Sequence, residues 1–202
     1  MAVHSGRQQF GPQRGRITLL TTRDGLAAQA GHDLTIEVTQ WSAELEVADD
    51  LTPAGLTVRA DMNSLVVREG KGGVKPLTDR DRREIAVTAR KLLRTDRYPE
   101  ARFTASGFDQ RPDGGGAVPG TLSLAGSDRP VRLEVTRIGS GAYHATGSVR
   151  QSDFGIKPYT AFLGVLKVSD AVGIAIDVDL PAADSGSAAE TAHPEAGAGE
   201  QS

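Results

Sequence analysis

The chain has 202 residues, of which 23 are Lys or Arg and 26 are Asp or Glu, for a formal net charge of −3. It contains no cysteine, which excludes disulfide scaffolds, thiolate metal sites, iron–sulfur clusters and cysteine nucleophiles. The slightly acidic balance argues against a nucleic-acid partner, because nucleic-acid binders carry a basic excess on one face. The length predicts one domain of ordinary size.

The two ends of the chain differ in composition from the middle. Residues 1–14 are polar and show no periodicity, and residues 182–202 contain no large apolar side chain. Segments of this kind bury too little apolar surface to offset the entropy cost of ordering them. We therefore predict a flexible N-terminal arm over 1–14, a folded domain over 15–181 and a disordered C-terminal tail over 182–202.

The sequence favours a cytoplasmic protein. The N-terminus shows no apolar stretch followed by a small-residue cleavage site, so no secretory signal is visible. The most apolar run, residues 171–180, is interrupted by Gly173 and two aspartates. It is far shorter than the ~20 apolar residues that a membrane-spanning helix needs. We expect no transmembrane segment.

Alternation of apolar and polar residues with a period of two dominates the folded domain. It is clearest over 56–62, 131–135 and 172–180, where every second residue is aliphatic or methionine. Shorter runs of the same kind occur over 17–19, 34–38, 45–47, 103–105 and 122–124. Turn residues separate the runs. The pattern predicts eight or nine strands, each with one apolar face, in an antiparallel sandwich or closed barrel.

One segment breaks this period and predicts a helix over about 79–94. Thr78 and Asp81 resemble a capping box, and apolar residues follow at helical spacing. Tyr98 precedes a proline and therefore avoids the helical region, so the helix must end before it. A weaker helix or turn is predicted over 159–166.

The groups that could carry out chemistry are few and scattered. Residues 70–75 resemble a phosphate-binding loop only superficially, because Pro76 stands where a serine or threonine must follow the lysine. Asp79 and Asp81 are poorly placed as paired catalytic carboxylates, since positions i and i+2 do not face each other on a helix. No two histidines have metal-ligand spacing, and no G-x-S-x-G motif is present. We predict no catalytic residue, no metal and no cofactor.

Four motifs, in chain order, resemble those of one known family. They are Met62-Asn-Ser-Leu65 with the later Asp79-Arg-Asp81, the run from Leu92 through Tyr98-Pro99 to Ser106, the hairpin Leu122 to Leu133, and Gln151-Ser-Asp-Phe-Gly-Ile156. Over about residues 16–180 the chain resembles the YceI-like family of polyisoprenoid-binding, lipocalin-like proteins. The family's helix usually carries a histidine shortly after its Arg-Asp pair, and this chain does not.

The resemblance implies an all-β fold: an eight-stranded antiparallel, lipocalin-like barrel with the one main helix at 79–94. It also implies a long apolar ligand in the interior, typically an isoprenoid chain. We therefore predict a non-enzymatic barrel over 15–181 that binds an isoprenoid or similar lipid for transport, storage or sequestration. The candidate ligand-binding residues are the apolar ones expected to face inward: Trp41, Leu45, Val58, Met62, Phe103, Leu122, Leu124, Leu133, Phe154, Phe162, Leu166 and Ile176.

Two other functions stay open at this point. An enzyme acting on a lipid-like substrate would need polar groups gathered inside the cavity, and the candidates are His32, His144, Asp153 and Tyr159. A barrel filled by Trp41 and the phenylalanines would bind no ligand and would serve as a stress-related or interaction module. The volume of the cavity decides whether the barrel is filled in this way. A homodimer could bury the segment 159–166.

Overall fold

The computed structural model of this chain describes residues 5–26 and 28–180, with the exception of the Phe162 side chain. Within these residues, thirteen strands form one antiparallel sheet. In chain order they are β1 (Gly6–Phe10), β2 (Gly15–Asp24), β3 (His32–Val38), β4 (Trp41–Val47), β5 (Pro53–Asp61), β6 (Leu65–Gly72), β7 (Glu100–Ala105), β8 (Asp109–Gln110), β9 (Gly116–Leu124), β10 (Ser127–Arg137), β11 (Ala142–Arg150), β12 (Thr160–Ala161) and β13 (Leu166–Asp179). The same residues form one α-helix, α1 (Asp79–Leu93).

The order of the strands shows that the sheet curls into a barrel. That order is β1-β4-β5-β7-β9-β10-β11-β13-β2-β3-β6, with β8 paired to β9 and β12 paired to β13. β3 and β4 lie near opposite ends of the order, although only Thr39 and Gln40 separate them in the chain. Since so short a link can bridge no more than about 10 Å, the two ends of the sheet must meet.

One long bent hairpin makes this closure. Residues 32–47 form its first arm, as β3 followed by β4, and residues 53–72 form its second arm, as β5 followed by β6. β4 pairs with β5 and β3 pairs with β6, so the two arms lie side by side on both sides of the bend. β3 also pairs with β2, and β5 also pairs with β7. The hairpin therefore joins the two ends of the remaining sheet.

Hydrogen bonds around Ser64 hold the bend. The backbone N–H and the hydroxyl of Thr39 both donate to the Ser64 carbonyl oxygen, at 3.2 and 2.8 Å. The Gln40 N–H donates to the Ser64 hydroxyl oxygen at 3.0 Å, and the Asp61 N–H donates to the Gln40 carbonyl at 2.9 Å. These bonds connect the two arms where the regular ladder stops.

The bend explains why the structure shows thirteen strands where the family resemblance implies eight. Counted as continuous paths through the barrel, the strands are β2, the two arms of the hairpin, β7, β9, β10, β11 and β13. The bend divides each arm into two strands, and the short β1, β8 and β12 add to the sheet without belonging to this ring. The prediction of an all-β antiparallel barrel with one main helix is confirmed.

The N-terminal arm differs from its prediction as a flexible segment. From Gly6 onward it is structured: β1 pairs with the free edge of β4, and residues 12–14 form a 3-10 turn. Arg7 forms ion pairs with Glu44 at 3.2 Å and with Glu46 at 3.0 Å. Because backbone pairing and charges hold this strand on an exposed edge, it lacks the apolar alternation that marks the others. The tail predicted over 182–202 lies outside the described residues.

Helix α1 confirms the prediction of a helix over about 79–94. At its start the Thr78 hydroxyl oxygen accepts a hydrogen bond from the Asp81 N–H at 3.2 Å, and the Asp81 carboxylate accepts one from the Thr78 N–H at 2.8 Å. The helix ends at Arg94, whose φ of 54° is left-handed, so it stops before Tyr98. The capping box predicted from the sequence is therefore present.

Helix α1 lies along the free edge of β6. Ala86 belongs to the same buried cluster as Leu65 and Val67 of β6. At the other end of the helix, Leu92 packs against a buried cluster that contains Phe154. The segment 159–166, predicted as a weak helix or turn, consists of β12 and a 3-10 turn, Phe162–Gly164. No helix in the described ranges has the length and apolar character needed to cross a membrane.

We expect Thr78→Ala to destabilise the fold by about 1 kcal/mol, because α1 loses its N-cap oxygen. Urea unfolding at neutral pH, followed by circular dichroism, measures this. Val87→Ala, at an exposed position of the same helix, is the matched control and should cost nothing, since alanine favours helices. Equal losses in the two variants would contradict the capping role.

The same capping box predicts a pH effect. The pKa of the Asp81 carboxyl is lowered from its ordinary 3.8, chiefly because it accepts a hydrogen bond from the Thr78 hydroxyl. A folded-state pKa below the unfolded one gives a stabilisation that is nearly complete above about pH 5 and disappears as the pH falls through the folded value. We expect the stability difference between the wild type and Asp81→Asn to be largest near pH 6 and to shrink steadily toward about pH 2.5. Unfolding curves across this range test it, and a difference that does not change with pH would overturn it.

Candidate functional site

The barrel contains a cavity of about 750 Å³. Alternate residues of a strand point to the same face, so each strand with an apolar face can contribute to the wall. All eight paths of the barrel do so, and most of the wall is aliphatic. Among the wall residues that were not singled out from the sequence are Ile17, Leu19, Leu34, Ile36, Val131, Val149, Val172 and Ile174. The alternation over 17–19, 34–38 and 172–180 already contained the signal for most of them.

Eight of the twelve predicted ligand-binding residues line this cavity. They are Val58, Met62, Phe103, Leu122, Leu124, Leu133, Leu166 and Ile176. Seven of them lie on barrel strands, and the eighth, Met62, lies in the bend of the long hairpin. The structure therefore brings together on one inner surface residues that are far apart in the chain.

The other predicted residues lie elsewhere. Trp41 is buried at the bend, where its ring meets Phe10 edge to face with centroids 6.1 Å apart. Phe154 is 1% exposed and packs with Ala125 beneath the end of α1. Leu45 is buried on β4 and does not line the cavity. The Phe162 side chain lies outside the described part of the chain. Two of the largest aromatic side chains thus pack in the wall and leave the interior open.

Helix α1 supplies a part of the wall that the predicted site did not include. Ile85, Ala89, Leu92 and Leu93 line the cavity from one face of the helix. Their helical spacing in the sequence predicts an apolar face. Only the structure shows that it covers the opening left beside β6.

The cavity opens where β3 begins and β2 and β6 end; we call this the mouth. Here polar side chains join the wall. His32 lies 2.8 Å from the Lys75 carbonyl oxygen through its Nε2 atom, and Arg23 donates to the Gly31 carbonyl at 2.8 Å. Tyr159 and Lys167 also line the cavity here, and Lys167 lies beside Asp24, its register partner on β2. His32 is thus a polar contact at the rim.

Deeper in the wall, Thr21 is the polar group of most interest. It lines the cavity, and its hydroxyl oxygen is buried without a hydrogen-bond partner among the described residues. Buried polar groups normally have a hydrogen-bond partner, and a buried group without one lowers the stability of the fold. A ligand with a polar atom near Thr21 would supply that partner.

The residues considered for catalysis do not form one group. His144 Nδ1 lies 2.6 Å from the Asp177 carboxylate on the outer side of the sheet, and Asp153 is exposed. His32 and Tyr159 both line the mouth, but the described residues show no hydrogen bond between them. In the same part of the chain, no three His, Asp or Glu side chains gather in a way that could hold a metal ion. The site is an apolar volume with a few polar groups at its rim.

Comparisons with known proteins agree with this architecture. BcnA of Burkholderia cenocepacia superposes with a TM-score of 0.58 at 15% identity, covering 81% of this chain and 94% of that one. A mutant of a Campylobacter jejuni YceI protein gives a TM-score of 0.52 at 17% identity, covering 71% of this chain and 81% of that one. At such identities the likeness shows the fold alone. No curated protein matches the chain.

The family comparison goes further than the fold. The sequence model of the YceI-like domain matches residues 13–180, which is most of the chain. The matched region contains the whole barrel ring, the helix α1 and every described residue of the cavity wall. This chain therefore belongs to the YceI-like family.

Proposed function

We propose that the barrel binds a long apolar ligand, an isoprenoid or similar lipid, and carries, stores or sequesters it. The observation that carries this proposal is the aliphatic cavity of about 750 Å³. Its volume falls within the roughly 300–1,000 Å³ typical of ligand pockets. The interior is not filled by Trp41 and Phe154, as a ligand-free barrel would require, because both pack in the wall.

The energetics favour a long chain over a short one. Burying a CH₂ group contributes about 0.8 kcal/mol, whereas association costs on the order of 4–15 kcal/mol in lost freedom. A fragment of five or six carbons gains only about 4–5 kcal/mol, which does no more than match the lowest value of that cost. Roughly twenty buried CH₂ equivalents, worth about 16 kcal/mol, exceed that cost across its whole range, and they give micromolar binding or better when the cost is about 8 kcal/mol or less. Several isoprenoid units meet this need without a strong polar contact.

The polar groups support binding rather than catalysis. A general acid or base must reach its substrate and its partner within hydrogen-bond distance, and the four candidate residues are divided between the rim, the outer face and a surface turn. The cytoplasmic location and a homodimer that buries the segment 159–166 stay predictions.

Two neighbouring leucines on β2 offer a matched test of the cavity. Leu19 lines the cavity, and Leu20 is an exposed residue on the other face of the same strand. We expect Leu19→Trp to weaken binding of a fluorescent prenyl-chain probe at least tenfold, because the indole fills the cavity, and Leu20→Trp to leave it unchanged. Titration of the purified protein measures the affinity, and thermal unfolding checks that both variants fold.

Extraction provides the second readout of that test. The wild type, purified from its host and extracted with organic solvent, should yield a prenyl lipid or similar lipid by mass spectrometry, and Leu19→Trp should yield less. An empty wild-type cavity together with no uptake of the prenyl probe would overturn the proposal. Equal binding by the two tryptophan variants would place the ligand outside the cavity.

The unpartnered hydroxyl of Thr21 tests whether the ligand has a polar atom. Thr21→Val removes the hydroxyl and keeps the shape of the side chain. We expect it to weaken binding of a prenyl alcohol by roughly tenfold relative to binding of the prenyl hydrocarbon with the same carbon skeleton. Competition against the fluorescent probe measures both affinities. Equal changes for the two ligands would show that Thr21 makes no polar contact with them.

A further inference from the structure

We infer that the mouth of the barrel docks on a lipid surface with anionic headgroups. The three most exposed large apolar side chains among the described residues are Leu163, which is fully exposed, Leu26 at 98% and Val74 at 80%. Each lies in a different loop, and all three loops are at the mouth. We call these three side chains the mouth tips.

Close contacts show that the three loops meet around one opening. Gly25, beside Leu26, approaches the Val165 carbonyl so closely that a side chain there would collide with it. The loop containing Val74 is held at the rim by the contact between His32 and the Lys75 carbonyl, at 2.8 Å. The tips therefore project from one end of the molecule and surround the entrance to the cavity.

The backbone conformation of Leu163 supports the inference that the mouth is a docking surface. Leu163 adopts a φ of 55° and a ψ of 31°, a left-handed conformation that L-residues take at an energetic cost. The side chain gains no burial in return, because it is fully exposed in this chain alone. Single exposed apolar residues need no explanation. Three of them in converging loops, one on a costly backbone, indicate a surface that is covered when the protein works.

The charges at the mouth identify what covers it. Lys75, Lys157 and Lys167 lie in or beside the same loops, and within the described ranges no carboxylate oxygen approaches their ammonium groups within 4 Å. The acidic groups that line or flank the mouth have partners of their own. Asp81 accepts a hydrogen bond from the Thr78 N–H at 2.8 Å, and Glu84 forms an ion pair with Arg80 at 2.8 Å. Asp24 accepts a hydrogen bond from the Gly25 N–H at 2.6 Å, and Asp33 accepts one from the Arg23 N–H at 2.9 Å. Apolar tips flanked by free lysines are the combination that binds an anionic membrane surface.

The same charges disfavour a second copy of this chain. A two-fold dimer places the same patch of each subunit against the other. The free lysines of the two copies would then lie close together, and the nearest carboxylates, Asp24 and Asp33, already have partners on their own chain. An anionic lipid surface satisfies both the apolar tips and the lysines. The purpose of docking, to load or release an apolar ligand, rests on the proposed function; docking itself does not need a ligand.

Vesicle flotation with the full chain, stripped of lipid, tests the inference. We expect binding to vesicles of phosphatidylcholine with about 30% phosphatidylglycerol, weaker binding to phosphatidylcholine alone, and loss of binding as salt screens the charges. The double variant Leu26→Asp, Leu163→Asp should reduce partitioning at least tenfold. Lys157→Gln should reduce it by about fivefold, the effect of one basic residue at an anionic surface.

The control is Ile138→Asp, which replaces an apolar residue that is 62% exposed at the opposite end of the barrel. It should partition like the wild type. Absence of wild-type binding to the anionic vesicles, or equal effects of Ile138→Asp and the tip variant, would overturn the inference. So would a tip variant that turns a dimer into a monomer in solution while vesicle binding stays the same.

The two proposals fail in different ways. Leu26 and Leu163 do not line the cavity, so the tip variant should still take up the prenyl probe from solution. Uptake of the probe without vesicle binding would refute docking and leave ligand binding intact. Vesicle binding without uptake of the probe would refute ligand binding and leave docking intact.

Discussion

The bend in the long hairpin is the constraint on which the rest of this structure depends. At Thr39 and Gln40 on one arm, and around Ser64 on the other, the ladder stops and a small set of hydrogen bonds replaces it. One half of the hairpin can then pair with β2 and the other half with β7. Without the bend, residues 32–72 would form a flat hairpin at one edge of an open sheet, and no interior would exist.

The bend also creates two free edges, and the way each is covered shapes the cavity. Unpaired edges invite pairing with other chains, so proteins cover them. The edge of β4 receives β1, which pairs with it by hydrogen bonds. The edge of β6 receives α1, which packs through side chains such as Ala86. The helical part of the cavity wall is therefore the part that can shift for a bulky ligand without breaking ladder hydrogen bonds.

Much of the barrel can be predicted from the sequence. Each strand buries one face, so apolar and polar residues alternate along it. The helix can also be predicted, from Thr78, Asp81 and the spacing of the apolar residues that follow. Strand β1 cannot be predicted in this way, because Arg7 and its ion pairs hold it on an edge without an apolar face. Alternation also tells which face of a strand is buried but not what covers it. For this reason Trp41 and Phe103 look alike in the sequence, although one packs at the bend and the other lines the cavity.

The exposed leucines follow no pattern in the sequence, and their placement makes physical sense only with the cavity. A ligand with about twenty buried CH₂ groups would pay roughly 16 kcal/mol to enter water, which makes free diffusion between a membrane and the barrel extremely slow. A barrel that opens directly onto the lipid surface removes most of this barrier, because the chain passes from one apolar medium into another. The entrance must then be apolar at its outermost points and must tolerate headgroups around them. Leu26, Val74 and Leu163, with lysines beside them, give the mouth these two properties.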